Sequence, residues 1–219
     1  MRIAGIIAEY NPFHLGHHYQ LEQTRISGAT HIAVVMSGSF VQRGEPAMAS
    51  KWSRAQAALE QGADLVAELP AAWAVSSARR FGQAGVFLLR ELGADFISFG
   101  SEAGDPVQLR QALRRMLSAE KSPEMSRFLA EGKSYPRARA EAAAALYGEE
   151  AAALLKGANN LLGLEYLRAA EELAPDMEFL TVPRIGAGHD AANPEEGFSS
   201  ASALRQGIRS KGLEICRPF

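Results

Sequence analysis

The sequence predicts a doubly wound, parallel α/β fold that carries a helical insertion. Short apolar runs alternate with helical segments of about 12 residues, a rhythm typical of right-handed βαβ crossovers. The apolar runs are continuous rather than alternating, as expected for strands covered on both faces. The rhythm is interrupted over 106–155, which is rich in Ala and Arg and contains no run typical of a strand. We interpret 106–155 as a helical insertion or lid packed on the sheet.

Each element has its own signal. The apolar runs predict five strands, at 2–8, 31–37, 64–70, 95–102 and 177–183. The first helix is expected to begin near Gly16 or His17 and to stop at Gly28, and Ser50 is a candidate N-cap for the second. Further helices are predicted over 76–93, 159–174 and 199–212.

Composition limits the class of protein. The chain has 219 residues, 47% hydrophobic and 22% charged, which suits one domain over 1–219 with a single large core. A net charge of −2 argues against a surface that binds nucleic acid throughout, and we expect no DNA partner. The lone cysteine, Cys216, excludes an internal disulfide. No apolar run is long enough to cross a membrane, and Glu9 comes too early for a signal peptide, so we expect a cytoplasmic protein with no membrane partner.

The sharpest local signal lies between the first strand and the first helix. His14 and His17 stand three residues apart, with Gly16 between them, where a helix begins. The helix dipole and unpaired N–H groups favour an anion there, such as a triphosphate, and Gly16 lets it approach the backbone. We therefore predict that His14 and His17 are catalytic. A zinc pair is the rival interpretation, but the chain has no cysteine or carboxylate triad nearby to complete it.

This pair resembles the HxGH signature of the nucleotidylyltransferase superfamily. Longer segments of the sequence resemble one particular family within it. Most of the chain except about 106–155 is similar to the bacterial tRNA(Met) cytidine acetate ligase family. The segments that carry this similarity include EYNPFHLGHHYQL (9–21), VMSGSFVQRGEPAMASKWSRAQAAL (35–59), SARRFGQAGVFLL (77–89), ISFGSE (97–102), NNLLGLEYL (159–167), RIGAGHD (184–190) and SSASALR (199–205). The resemblance implies a Rossmann-like sheet of nucleotidylyltransferase type. It also implies an enzyme that makes acetyl-adenylate from ATP and acetate and acetylates the wobble cytidine of elongator tRNA(Met).

The resemblance also implies site residues. It places ATP on the first loop and helix start, at Ile7, Ala8, Glu9, Tyr10, Asn11, Pro12, Phe13, His14, Leu15, Gly16, His17, His18, Tyr19 and Gln20. It adds Gly100, Asn159 or Asn160, and Arg184 to the nucleotide site, with Ser199, Ser200 and Arg205 as a phosphate clamp. Mg²⁺ is expected with ATP, although no carboxylate pair in the sequence must bind it.

Each of these residues has a plainer alternative. Gly100 could be a turn residue, the Asn159–Asn160 pair and the serine run could be helix caps, and Arg184 could be a solvated loop charge. Lys51 and Arg54 lie at a helix start, where a cation opposes the dipole, and are interpreted as a solvated face rather than an anion site.

The RNA step has the weakest sequence support. Arginines at 79, 80, 110, 114, 115, 137 and 139 could form a stripe that follows an RNA backbone, but interleaved glutamates suggest ordinary solvated helix faces. Members of the resembled family usually continue into a further C-terminal domain, which we expect this chain to lack. Two other hypotheses stay open: an adenylyltransferase for a small acid or phosphate ester, and a non-catalytic nucleotide- or RNA-binding module.

Overall fold

The computed structural model describes residues 1–42, 44–155, 157–183 and 201–211. Within this part of the chain, five parallel strands form one sheet in the order β3-β2-β1-β4-β5. The strands are β1 (Ile3–Ala8), β2 (His31–Ser37), β3 (Leu65–Leu69), β4 (Phe96–Ser101) and β5 (Glu178–Pro183). The predicted doubly wound parallel fold is confirmed, and each strand begins and ends within one residue of its predicted bounds.

Helices connect the strands and cover the sheet. Those described are α1 (Leu15–Ile26), α2 (Lys51–Glu60), α3 (Ala71–Ala74), α4 (Ala78–Glu91), α5 (Pro106–Glu120), α6 (Pro123–Ala130), α7 (Tyr135–Tyr147), α8 (Glu149–Ala153), α9 (Ala158–Leu173) and α10 (Ala201–Lys211). Ser50 is the N-cap of α2, as predicted, and its Oγ accepts from the Ser53 N–H at 3.1 Å. The single turn α3 was not predicted, because its sequence carries no cap signal. No described helix is both long and apolar enough to cross a membrane.

The sheet separates two cores, one on each face, where composition alone predicts a single core, and these two cores explain the continuous apolar strands. Side chains alternate across the sheet, so that Ile7 packs with α4 and α9 on one face while Ile6 packs with α1 and α2 on the other. Val35 and Val34 of β2 divide in the same way. Both faces therefore select apolar residues, which removes the alternation seen in half-exposed strands.

The helical block α5–α8 packs against α9 and extends the first core. A buried charge network joins them: Arg139, 5% exposed, donates to Glu165 at 2.9 Å and to Glu120 at 3.2 Å. Arg168 also donates to Glu120, at 2.9 Å. The interpretation of Arg139 as part of an exposed stripe or a solvated face is therefore wrong. Its guanidinium on α7 is buried because α5 and α9 each bring a carboxylate to it.

The strand order places a topological switch at β1. The chain moves outward from β1 to β3 in one direction, then returns to the other side of β1 for β4 and β5. Loops after β1 and β4 therefore diverge to opposite faces and leave a crevice beyond the carboxyl ends of these neighbouring strands.

Candidate functional site

A cavity of about 230 Å³ lies at this switch point. It is bounded by the carboxyl ends of β1 and β4, the turn after β1, the start of α1, and residues of α9 and α10. The structure brings the following predicted residues to its wall: Ile7, Ala8, Glu9, Tyr10, Asn11, His14, Gly16, His17, Tyr19, Gln20, Gly100, Asn159 and Arg205. Their convergence from four separate stretches of sequence makes this cavity the candidate active site.

The two histidines close the first turn of α1 as a reciprocal capping pair. Nδ1 of His14 accepts from the Gly16 N–H at 3.0 Å, and Nδ1 of His17 accepts from the His14 N–H at 3.3 Å. The rings stack with their centroids 3.7 Å apart. An imidazole nitrogen that accepts carries no proton, so each neutral ring has its N–H at Nε2. The capping geometry thus makes both side chains Nε2–H donors beside a helix N-terminus, an arrangement suited to phosphate oxygens.

The position of the His14 ring requires a glycine at residue 16. A Cβ atom built on Gly16 would lie 2.9 Å from Cε1 and 3.1 Å from Nδ1 of His14. Any other residue would therefore push the imidazole away from its capping position. The glycine between the histidines has a steric role within the turn, in addition to the ligand approach predicted for it.

Aromatic rings hold His17 in place. The Tyr10 ring packs edge-on against His17 with centroids 4.8 Å apart, and the Phe13 ring lies 5.6 Å from it. Tyr10 is buried, and burial raises the pKa of its phenol well above the usual value. Its backbone φ of 46° is in the left-handed region, a strained conformation that loops at functional sites often retain.

Arg205 reaches the first loop from the far end of the described chain. Its Nη1 donates to the backbone carbonyl of Asn11 at 2.7 Å, and both residues line the cavity. The buried Asn11 also accepts at Oδ1 from the Met48 N–H at 2.7 Å. Asn11 thereby links the histidine turn to α10 and to the loop after β2, and the Arg205 side chain lines the same cavity as the two imidazoles.

The structure distinguishes the two asparagines. Asn159 lines the cavity, and its Nδ2 donates to Oε1 of Glu102 at 2.7 Å. Asn160 is buried behind the wall, where its Oδ1 accepts from the Ala103 N–H at 3.1 Å. Glu102 accepts from the backbone N–H groups of both asparagines. A carboxylate can only accept, so it fixes Asn159 with Nδ2 towards Glu102 and leaves Oδ1 as the amide atom that can accept from a ligand.

Partial burial works to raise the pKa of Glu102, but the hydrogen bonds from Asn159 and Asn160 outweigh it and hold the pKa below its usual value. The carboxylate is therefore charged at neutral pH. A fixed negative charge at the start of α9 also suits the positive end of that helix.

Some predicted ATP ligands do not line the cavity: Pro12, Phe13, Leu15, His18 and Asn160. A helix turns successive side chains by about 100°, so Leu15 and His18 fall outside the face that carries Gly16, His17 and Gln20. Phe13 contributes through its contact with His17 instead. Arg184, Ser199 and Ser200 lie outside the described residues.

The cavity also contains residues that sequence reasoning missed: Gln42, Phe81, Phe99, Leu162, Tyr166, Val182, Pro183 and Ala201. Most are apolar and come from α4, β4, α9 and β5, so these elements give the cavity an apolar wall in addition to the polar turn. Burial, and then the charge of Glu9, raise the pKa of Tyr166, which is neutral at physiological pH. Apolar residues at strand ends carry no local signal that separates a cavity wall from a core.

Arg54 is neither a solvated charge nor an anion ligand. It is only 2% exposed and donates to the backbone carbonyls of Ser37 at 3.0 Å and Ala49 at 3.2 Å. It also donates to the carbonyls of Glu9 and Gly38. Arg54 therefore ties the loop after β2 to the end of β1, and the earlier interpretation of a solvated face is wrong for it. Lys51 pairs with Glu68 at 2.6 Å.

Nothing in the described part of the chain assembles three or more metal-binding side chains. Of the residues described, Glu9 is the one that brings a carboxylate to the cavity wall, and its Oε1 accepts from the Gln42 N–H at 2.8 Å. One carboxylate matches the usual environment of Mg²⁺ bound mainly by substrate phosphates and water.

A doubly wound sheet, a switch-point cavity and paired imidazoles at a helix start define a nucleotidyltransferase-type α/β protein. The chain belongs to the HIGH Nucleotidyl Transferase family, whose model matches residues 1–217.

The curated relatives that the chain resembles share one name, tRNA(Met) cytidine acetate ligase. The chain is 41% identical over 214 residues to the tRNA(Met) cytidine acetate ligase of Caldicellulosiruptor bescii, a match covering 96% of this chain and 53% of the relative. It is 42% identical to that of Acetivibrio thermocellus, covering 95% of this chain and 52% of the relative. The chain therefore spans about half the length of the curated relatives it matches.

Solved structures agree with the fold. The apo crystal structure of Thermotoga maritima TmcAL matches the whole chain, with a TM-score of 0.87 and 36% identity, and 54% of the Thermotoga chain is covered. A second crystal structure of that protein, bound with alpha-thio ATP, has a TM-score of 0.85 at 36% identity, with 100% of this chain and 53% of that chain covered.

Proposed function

We propose that this chain carries the ATP-activating site of a tRNA(Met) cytidine acetate ligase. The reaction makes acetyl-adenylate and then acetylates N4 of the wobble cytidine in elongator tRNA(Met). One observation carries the proposal: the Nδ1 atoms of His14 and His17 are both used in capping, which puts the N–H of each neutral ring at Nε2, and both rings line the cavity that Arg205 also lines. The names of the relatives, and the ATP analogue in one structural neighbour, support the choice of substrates.

In the first step, an acetate oxygen attacks the α-phosphorus of ATP and pyrophosphate leaves. The chain supplies alignment and positive partial charge rather than a covalent nucleophile. His14, His17 and the α1 N-terminus are placed to donate to phosphate oxygens, and Arg205 adds a full charge. Hydrogen bonds to charged groups contribute roughly 1.5–3 kcal/mol each, so one that strengthens in the transition state speeds the step by about 10- to 100-fold.

The base of ATP is assigned to the apolar wall of the cavity. Phe99 and Tyr166 meet edge-to-face there, with centroids 6.0 Å apart, and give an apolar surface at the carboxyl end of β4. Asn159, oriented by Glu102, is proposed to accept a hydrogen bond from a ribose hydroxyl or the adenine amino group. Gly100 also lines the cavity, at the carboxyl end of β4, and is proposed to leave room there for the nucleotide because it has no side chain.

Mg²⁺ is proposed as part of the substrate, entering on the phosphates of ATP. Glu9 is the one carboxylate that the described residues contribute to the wall, and it fits this role better than that of a dedicated metal cage. In the second step, the N4 amine of cytidine attacks the acetyl carbonyl. The C–N bond forms, the C–O bond between the acetyl group and AMP breaks, and the amine loses one proton as AMP leaves. We also propose a cytoplasmic location, which is consistent with a tRNA substrate.

The proposal is tested by acetate-dependent exchange between ATP and labelled pyrophosphate, with and without tRNA(Met). Wild-type protein is expected to exchange with acetate, and the His14→Ala/His17→Ala double variant to lose at least about 100-fold in rate, from two lost charge-assisted bonds. Full exchange in the double variant would contradict the catalytic assignment.

A panel of other acids and phosphate esters in the same assay separates the proposal from an adenylyltransferase of another metabolite. Exchange that is faster with one of them than with acetate would favour that alternative. Binding of ATP without exchange, unchanged in the double variant, would favour a non-catalytic nucleotide-binding module.

A further inference from the structure

Helix α10 presents a polar and basic stripe beside the cavity. Its members recur at intervals of three and four residues and so share one helix face: Ser202, Arg205, Gln206, Arg209 and Ser210. Together with Glu45, they line a second depression of about 390 Å³. We call these five residues the α10 stripe.

The charge of the stripe favours an anionic partner. Arg205 and Arg209 lie one helical turn apart, and among the described residues only Glu45 brings a carboxylate to this depression. Arg209 is exposed and forms no ion pair with any described residue. Arg137 differs, because Glu141 holds it at 2.8 Å. Guanidinium, hydroxyl and amide groups on one face are the side chains that commonly contact nucleic-acid phosphates.

The stripe leads directly to the reaction site. Arg205 lines both the stripe depression and the ATP cavity, and its guanidinium donates to the Asn11 carbonyl within the histidine turn. The loop after β2 also borders both spaces, through Gln42 in the cavity and Glu45 in the depression. A chain lying along the stripe would therefore place its next unit at the cavity mouth.

We propose that the α10 stripe binds the phosphodiester backbone of the acceptor RNA, next to the nucleotide whose base enters the cavity. This proposal rests on the proposed function, which requires a base to leave its stack and reach acetyl-adenylate. A flipped base needs its flanking phosphates held at the rim, and Arg209 lies one turn beyond the guanidinium at that rim. The stripe thereby differs from the arginines at 110, 114 and 115, which lie on α5 and do not line either space.

The test compares Arg209→Glu and Arg209→Ala with Arg114→Glu, an exposed helical arginine of the same type without a described ion pair. The probe is a fluorescently labelled anticodon stem-loop of tRNA(Met), titrated by anisotropy over a series of KCl concentrations. Arg209→Glu is expected to weaken binding about 10-fold and to reduce the slope of log affinity against log salt by about 0.7, the value for one single-strand phosphate contact. Arg114→Glu should leave both unchanged.

The outcomes separate the two proposals. Acetate-dependent pyrophosphate exchange should be the same in wild type and Arg209→Glu, because Arg209 does not line the ATP cavity. Equal RNA affinity and salt slope in wild type and Arg209→Glu would refute RNA binding by the α10 stripe, as would the absence of RNA binding by wild type. Neither outcome would affect the conclusion drawn from pyrophosphate exchange. Absent exchange in wild type would contradict the proposed function whatever the RNA result. Thermal melting confirms that the variants fold.

Discussion

Replacing Glu102 by Gln changes the charge beside Asn159 with almost no change in shape. In the wild type, the Glu102 carboxylate accepts from Asn159 Nδ2 and the Asn160 N–H, each at 2.7 Å, and from the Asn159 N–H at 3.2 Å. A glutamine presents one acceptor and one donor group, so it can no longer satisfy all three. It also permits either orientation of the Asn159 amide, because its own amide can donate as well as accept.

The expected magnitude follows from these contacts. Loss of one side-chain hydrogen bond to Asn159 is worth about 1 kcal/mol, which corresponds to a rise of about 5-fold in the KM for ATP. The value of kcat should change little, because Asn159 is assigned to the nucleoside rather than to the phosphates. The α9 N-terminus also loses a capping group, which costs about 1 kcal/mol in the free energy of unfolding.

The assay is an ATP titration of acetate-dependent pyrophosphate exchange, with Asp105→Asn as the matched control. Asp105 caps α5 just along the chain and likewise accepts from three N–H groups, those of Val107, Gln108 and the Gln108 side chain. It does not line the cavity. Both variants should unfold more easily than wild type, but the KM for ATP should rise in Glu102→Gln alone.

Equal KM values in Glu102→Gln and wild type would refute the positioning of Asn159 by Glu102. A rise in KM that is equal in Asp105→Asn would show that general destabilisation, rather than the amide orientation, lowers the affinity. A loss of kcat with unchanged KM would instead place Asn159 near the phosphates.

Three other predictions concern stability as well as activity. Gly16→Ala should leave the free energy of unfolding nearly unchanged, since a gain of up to about 1 kcal/mol in helix propensity offsets a similar capping loss. Its exchange rate should nevertheless fall about 10- to 100-fold as the His14 ring is displaced, and an unaltered rate would contradict the contact. Arg54→Met leaves four backbone carbonyls without their donor and should cost at least about 3 kcal/mol, seen as a fall of roughly 6–12 °C in Tm; a shift below about 2 °C would contradict this role. Because the pKa of Glu102 is lowered on folding, its contribution is present above the ordinary pKa of 4.5 and is lost as the pH falls through the lower folded value. The stability difference between wild type and Glu102→Gln, measured by urea unfolding, should therefore shrink with acid, and a constant difference would contradict the linkage.

Much of the fold was predictable because its signals are local. Continuous apolar runs located all five described strands, and the His14–Gly16–His17 turn located the part of the cavity wall that lies at the start of α1. The burial of Arg54 on α2 was not predicted. Its sequence signal is weak, because the only hint is an apolar residue, Ala58, one turn later on the same helix face. A charged residue at a helix start is ordinarily solvated.

The rest of the site depends on contacts between distant parts of the chain. Arg205 meets Asn11 across 194 positions, and Arg139 meets Glu165 across 26, and neither pair has a spacing that periodicity can detect. Asn159 and Asn160 are adjacent in sequence, and only the folded structure distinguishes them. Asn159 lines the cavity, whereas the Asn160 side chain accepts from the Ala103 N–H behind the cavity wall.

Local sequence thus decides the strands, the capped helix starts and the chemical nature of the histidine turn, because hydrophobic pattern and backbone hydrogen bonding act over a few residues. The tertiary structure alone decides that Arg54 is buried, that Glu102 orients Asn159, and that α10 lies against the first loop. The physical reason is that burial and charge pairing are properties of the assembled surfaces, whose neighbours come together only when the sheet and its helices pack.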